Sequence, residues 1–156
     1  MTKNNLILKI CQKCKARCCK MGGPDFTKKE MQEVLDSGFK NHFVKIGKNH
    51  YELKSKKGIC PYLARNYSCL IHKVRPLMCK CWPVCVDLVE GKKKLYLAHC
   101  HLTPLISKKE MGVMKKQALK IPKTTLVETF TKCKLPKKDV DLIRKRLNSF
   151  KKTELK

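Results

Sequence analysis

Four thiols within nine residues, Cys11-x2-Cys14-x3-Cys18-Cys19, constrain this chain more than any other feature of it. Two cysteines separated by two residues can hold one ion from a single tight turn, the arrangement of zinc knuckles and iron-sulfur loops. Neighbouring side chains diverge on a helix and on a strand, so one ion does not readily take both Cys18 and Cys19. The run therefore points to two sites, or to one cluster with a second thiol beside it.

Whether such thiols pair with each other or bind metal depends on compartment. The first ten residues offer only Leu6, Ile7 and Leu8 as an unbroken apolar run before Lys9, short of a signal-peptide core of roughly 7 to 15 residues. No apolar run approaches the roughly 20 residues that span a bilayer. A cytoplasmic, reducing setting is expected, where thiols stay available for metal or redox chemistry. The total of eleven cysteines is odd, which also argues against a complete disulfide framework.

A second set follows: Cys60-Pro61-Tyr62-Leu63, Cys69, Arg75-Pro76, Cys79, Cys81, Trp82-Pro83 and Cys85, with His72 among them. Pro76 suits the first position of a short helix, which would place Cys79 in its first turn, where the helix dipole favours thiolate. Arg75 could stabilise charge at a cofactor or donate hydrogen bonds to ligand sulfur; a surface salt bridge is the alternative. His99-Cys100-His101 could deliver one more ligand from a strand end. Cys133 stands apart between two lysines and reads as a free thiol.

Around these clusters the pattern is α+β. Thr27 and Glu30 have capping-box spacing, Phe26 can staple onto Met31 and Gly38 can stop a helix over Phe26 to Gly38. Ile106, Ser107, Glu110 and Met111 repeat that start, and a third helix begins near Pro136 with Val140, Ile143, Leu147 and Phe150 as its stripe. Two hairpins are expected, Phe43 to Ile46 with Tyr51 to Leu53 around Gly47, and Val84 to Val89 with Leu95 to Ala98 around Gly91. The stretch from Cys60 to Cys85, crowded with prolines and cysteines, should be irregular and held by metal more than by packing. The expected division is a cysteine-rich metal-binding domain over 1–103 and a basic helical extension over 104–156.

The formal charge of +25 invites an anionic partner. It is built from 32 Lys and only 5 Arg, whereas bidentate recognition of phosphates and bases favours Arg. Eight metal-bound thiolates with two divalent ions would leave about +21. Aromatic residues make up 6% of the chain, leaving few stacking platforms. Nucleic-acid binding is therefore expected to be weak, salt-sensitive and without sequence preference.

Other motifs fail. Extending Cys14-x3-Cys18 or Cys81-x3-Cys85 toward a radical-SAM pattern lands on Met21 or Leu88, and Gly22-Gly23-Pro24 lacks the spacing of a nucleotide loop.

Taken together, the residues resemble the YkgJ-type cysteine-cluster proteins, a zinc- or iron-chelating family. Cys11, Cys14, Cys18 and Cys19 match its opening. Cys60 to Leu63, Cys69, Arg75 to Cys79 and Trp82-Pro83 match its middle, and Cys100 its later cysteine. The three residues before Cys18 are a long spacing for the family, His72 stands where it often has Tyr, and Cys81 and Cys85 look like additions. The resemblance implies a metal ligand set of Cys11, Cys14, Cys18, Cys19, Cys60, Cys69, Cys79 and Cys100. It implies iron, most simply as an iron-sulfur cluster, with zinc as the alternative cofactor. The leading reading is a cysteine-ligated iron protein acting with a protein or redox partner in electron transfer, in redox sensing or as part of a modifying enzyme. The resemblance also relates the chain distantly to flagellin lysine-N-methylases, which makes a protein lysine methylase-like enzyme a further alternative. A zinc-stabilised nucleic-acid-binding module is the competing reading.

Overall fold

Reciprocal capping boxes fix the start of two helices. In the computed structural model, which describes residues 2–127 and 135–156, the Thr27 hydroxyl accepts from the Glu30 N–H while Glu30 accepts from the Thr27 N–H, opening α2 (Lys28–Asp36). Ser107 and Glu110 repeat this at α4 (Lys108–Ala118). Gly38 follows α2 with φ of +85°, the left-handed stop that its position predicts. The C-terminal helix α5 (Lys137–Asn148) begins after Pro136 and buries Val140 and Ile143. Leu147, expected on the same stripe, is 40% exposed. Two elements lacked an expectation: α1 (Lys3–Lys13), capped by Thr2, and a last strand, β5 (Lys152–Leu155).

Both hairpins form. Strands β1 (Phe43–Gly47) and β2 (His50–Leu53) pair antiparallel, with Phe43 opposite Leu53 and an irregularity at Gly47. Strands β3 (Val84–Val89) and β4 (Lys92–Ala98) pair from Val84 opposite Leu97 to Val89 opposite Lys92. Strand β5 adds to the far edge of β4 and completes a three-stranded sheet. The fold is α+β, with five α-helices and two small antiparallel sheets among the described residues.

Each sheet anchors its own core. Phe26, Val34, Leu53, Cys60, Tyr62 and Ile71 form one, with Cys19 and Cys69 packed against it. Cys81, Val84, Val86, Leu95, Ala118 and Ile121 form the other. The segment from Cys60 to Cys85 has little regular structure beyond a 3₁₀ turn at His72–Val74 and the four-residue α3 (Leu77–Lys80). It is nevertheless packed, since Tyr62 and Ile71 are each 2% exposed. Glu30 links the halves: its second carboxylate oxygen accepts from the Leu77 N–H at 2.8 Å, so the residue that caps α2 also holds the start of α3.

The C-terminal helix locks onto the cysteine-rich part at Gly58. That glycine has φ of +74°, and a Cβ there would sit 2.7 Å from Ile143 Cγ1. Beside it, Arg146 Nη1 donates to the carbonyls of Lys20 and Lys57 at 2.8 and 2.7 Å. Ile143→Ala, at a site with no exposure, should destabilise the protein by about 2–5 kcal/mol. Gly58→Ala should destabilise it as well, through backbone strain and the clash. Denaturant midpoints of the two variants check both expectations.

Candidate metal centre

Eight of the ten cysteines among the described residues converge from four separate segments. Cys11 lies in the last turn of α1 and Cys14 caps it. Cys18 and Cys19 ride on a short 3₁₀ turn (Arg17–Lys20) entered through two left-handed residues, Lys15 (φ 54°) and Ala16 (φ 49°). That conformation costs L-residues about 1–2 kcal/mol each. It is held by Ala16 donating to the Cys11 carbonyl and Cys19 donating to that of Ala16. Arg146 pins the end of the same turn through the Lys20 carbonyl.

The two neighbouring thiols look to different companions. Cys19 joins Cys60, Cys69 and Cys79: the charge of Cys19 is felt at each of the other three, and Cys79 also feels Cys60 and Cys69. The Cys60 N–H donates to the Cys19 carbonyl at 2.8 Å, and an antiparallel bridge between Leu63 and Cys69 folds the Cys60–Cys69 loop back on itself. Cys18 instead joins Cys11, Cys14 and Cys100 around an opening walled by Ile10, Arg17, Trp82, His101, Leu102 and Phe150. The sets adjoin closely, since Cys11 also feels Cys19 and Cys69, and Cys18 hydrogen-bonds Cys19 and feels Cys79 as well as Cys11. Trp82 packs edge-on against Phe150 at 5.4 Å, and the Arg17 guanidinium lies 4.6 Å over the Phe150 ring.

Backbone N–H groups point at the sulfurs. Tyr62 and Leu63 donate to Cys60, Ile71 to Cys69, and Leu102 to Cys100 at 3.4 Å, where the Thr103 hydroxyl adds a contact at 3.8 Å. Such donors stabilise thiolate and are what metal-bound sulfur needs around it. In the metal-free chain they do not prevail. Burial, reinforced by the other thiols, raises Cys11 to about 11 and Cys60 to about 12, and Cys79 well above its ordinary value. The expected dipole effect at Cys79 is thus outweighed: Pro76 caps α3 instead of entering it, and a four-residue helix has little dipole to offer. Between Cys18 and Cys19 a hydrogen bond leaves the proton on Cys18, raising its thiol and lowering that of Cys19.

The Arg75 charge acts on both Cys69 and Cys79, favouring thiolate there, while its Nη1 donates to the His72 carbonyl at 2.7 Å. His99 turns away toward Thr153 on β5, at 2.7 Å. His101 lies exposed at the opening beside Cys100. The two cysteines that looked like additions stand differently. Cys81 has no exposure and belongs to the second core, whereas Cys85 lies on β3, where it feels Cys100. Cys133 lies outside the described residues. The sequence reading missed the wall formed by Arg17, Trp82 and Phe150, whose partners lie far apart along the chain. It also missed α1, although Ile7, Ile10, Cys11 and Cys14 have helical spacing.

A family model described as "putative zinc- or iron-chelating domain", CxxCxxCC, matches residues 10–117. The chain belongs to this CxxCxxCC family. The matched span holds all eight converging cysteines and ends within α4, so α5 and β5 lie beyond it. The extra residue between Cys14 and Cys18, relative to the family's named spacing, falls where Lys15 and Ala16 turn left-handed. No curated protein and no solved structure matched the chain. No helix among the described residues is long and apolar enough to cross a membrane.

The donor set fits a thiophilic metal, as the family's description requires: eight convergent thiols, with N–H groups aimed at several of the sulfurs. Metal removal should expose the cost of the raised thiols. Unfolded cysteines titrate near about 8.5; above that pH the unfolded chain releases protons that the folded, metal-free chain retains on Cys11 and Cys60. The unfolded state then binds fewer protons, so stability present in full below about pH 8.5 falls as pH climbs toward 11 and 12. Urea midpoints of chelated, reduced protein at about pH 7.5 and 9.5 should show the decline, and the metal-loaded protein should show less of it.

Proposed function

We propose that this protein carries iron as iron-sulfur centres on two four-thiol sites, one formed by Cys19, Cys60, Cys69 and Cys79 and the other by Cys11, Cys14, Cys18 and Cys100, and that it works as a one-electron redox protein. The observation that carries the reading is that Cys18 lines one opening with Cys11, Cys14 and Cys100 while its neighbour Cys19 acts on Cys60, Cys69 and Cys79, the two thiols meeting through a hydrogen bond where the sets adjoin. Arg75 supports the first site by its charge on Cys69 and Cys79. Thiolate ligands suit zinc and iron-sulfur clusters alike, and iron is preferred here on the resemblance of the cysteine pattern to the cysteine-cluster family.

Iron-sulfur clusters supply reversible one-electron chemistry. The protein's part is to hold, shield and expose them. Cys60 and Cys79 sit where burial dominates, whereas the Cys11, Cys14, Cys18 and Cys100 set lies at an opening with an aromatic wall. A buried centre one peptide bond from a surface centre is a path for single electrons, and the exposed His101 and Arg17 would meet the redox partner.

Anaerobic purification followed by iron, zinc and acid-labile sulfide analysis tests the reading. Iron with sulfide, and a visible spectrum bleached by dithionite, is expected; zinc without iron would sink it. Cys60→Ser and Cys100→Ser should each remove roughly half of the bound iron, as separate sites require, while Cys133→Ser and Cys81→Ser should retain it. Complete loss from either of the first two variants in a folded protein would instead indicate a single shared centre.

A further inference from the structure

A different set of ligand atoms meets on the first hairpin. His50 and Glu52 are two residues apart on β2, so their side chains leave the same face of the strand. Phe26 bridges Tyr51 in antiparallel fashion, each donating its N–H to the other's carbonyl at 2.9 Å. That pairing puts Asp25 across from Glu52. His50 Nε2 lies 2.7 Å from Asp25 Oδ1. His50 is 4% and Glu52 7% exposed, and the Asp25 side chain is 28% exposed. One ligand atom from each of the three lies within 4.8 Å of the other two.

This geometry sits close to what a small ion imposes. Ligands about 2.0–2.2 Å from a shared ion stand about 3 Å apart at right angles and about 4.4 Å apart when opposed. To share an ion, the His50–Asp25 pair at 2.7 Å would open slightly, and any separation near the 4.8 Å limit would close. Burial holds the Asp25 carboxyl above the usual carboxylate range despite the opposing pull of His50. The donors also differ in kind from the thiols, since carboxylate oxygen with one imidazole suits harder and borderline first-row ions where thiolate selects soft ones.

We infer that Asp25, His50 and Glu52 form an additional metal site for one divalent first-row ion of the Mn2+ or Fe2+ class, chemically separate from the thiol centres. The site is preformed, because the Phe26–Tyr51 hydrogen bonds fix the two backbones from which its ligands project. An ion there would tie the segment leading into α2 to strand β2. It would do so at the edge of the core against which Cys19 and Cys69 pack.

Manganese is the probe of choice, since it binds thiolate poorly and its free aqueous ion gives a six-line paramagnetic spectrum. Anaerobically purified protein with its thiol centres as isolated should bind one equivalent of Mn2+ in a titration followed by loss of that signal. Asp25→Asn and Glu52→Gln, which keep shape and polarity, should each weaken Mn2+ binding at least ten-fold while leaving the metal and sulfide bound by cysteine unchanged. Absence of a stoichiometric Mn2+ site in the wild-type protein would overturn the inference. So would a site whose affinity is unchanged in both variants, provided their circular dichroism matches that of the wild type.

Discussion

Eight sulfurs brought together in a partly buried space cannot all be ionised at ordinary pH without a cation among them. The rest of the architecture is organised around that constraint. In the absence of metal the conflict is met by protonation: burial and mutual repulsion hold Cys11, Cys60 and Cys79 as neutral thiols. The N–H groups of Tyr62, Leu63, Ile71 and Leu102 and the charge of Arg75 oppose this and favour thiolate. Such an environment is a poor resting place for free thiols and a good one for thiolate bound to metal. Binding displaces protons and turns the costliest part of the fold into its strongest crosslink.

The scaffold serves this purpose by meeting the site from several directions. α1 and the left-handed turn after it bring the first four cysteines, the Cys60–Cys69 loop and α3 bring three more, and the end of β4 brings the last. Few of these pieces are regular enough to define their own geometry, so small polar ties do it. Glu30 joins two helices with one carboxylate, and Arg146 joins α5 to two carbonyls that flank the cysteine segments. Arg17 and Phe150 close the outer thiol set in a similar way.

Local chemistry was legible in the sequence wherever a few adjacent residues decide the outcome. The capping boxes at Thr27 and Ser107, the stop at Gly38 and both hairpins follow from side chains within reach of their own backbone. The convergence of eight cysteines was legible only as a spacing pattern joined to a family resemblance. The proposed division into two sets was hinted at only by the adjacency of Cys18 and Cys19. What stayed hidden depends on partners far apart in sequence. β5 is short and polar and becomes a strand only because the β4 edge is there to pair with. The Trp82–Phe150 wall and the meeting of Asp25 with His50 and Glu52 likewise need the tertiary fold. α1 buries none of its residues, so its apolar stripe is too faint to stand out from a lysine-rich background.

Gly58 and the helix that covers it bear on the order in which the molecule is built. Every converging cysteine lies at or before Cys100, and the residues that clasp them from outside, Ile143, Arg146 and Phe150, come afterwards. A chain emerging from the ribosome thus presents its complete set of sulfurs while the clasp is still unmade. Metal delivery has its widest access during that interval. Once α5 settles over Gly58, Arg146 holds the Lys20 carbonyl and fixes from behind the end of the turn that carries Cys18 and Cys19.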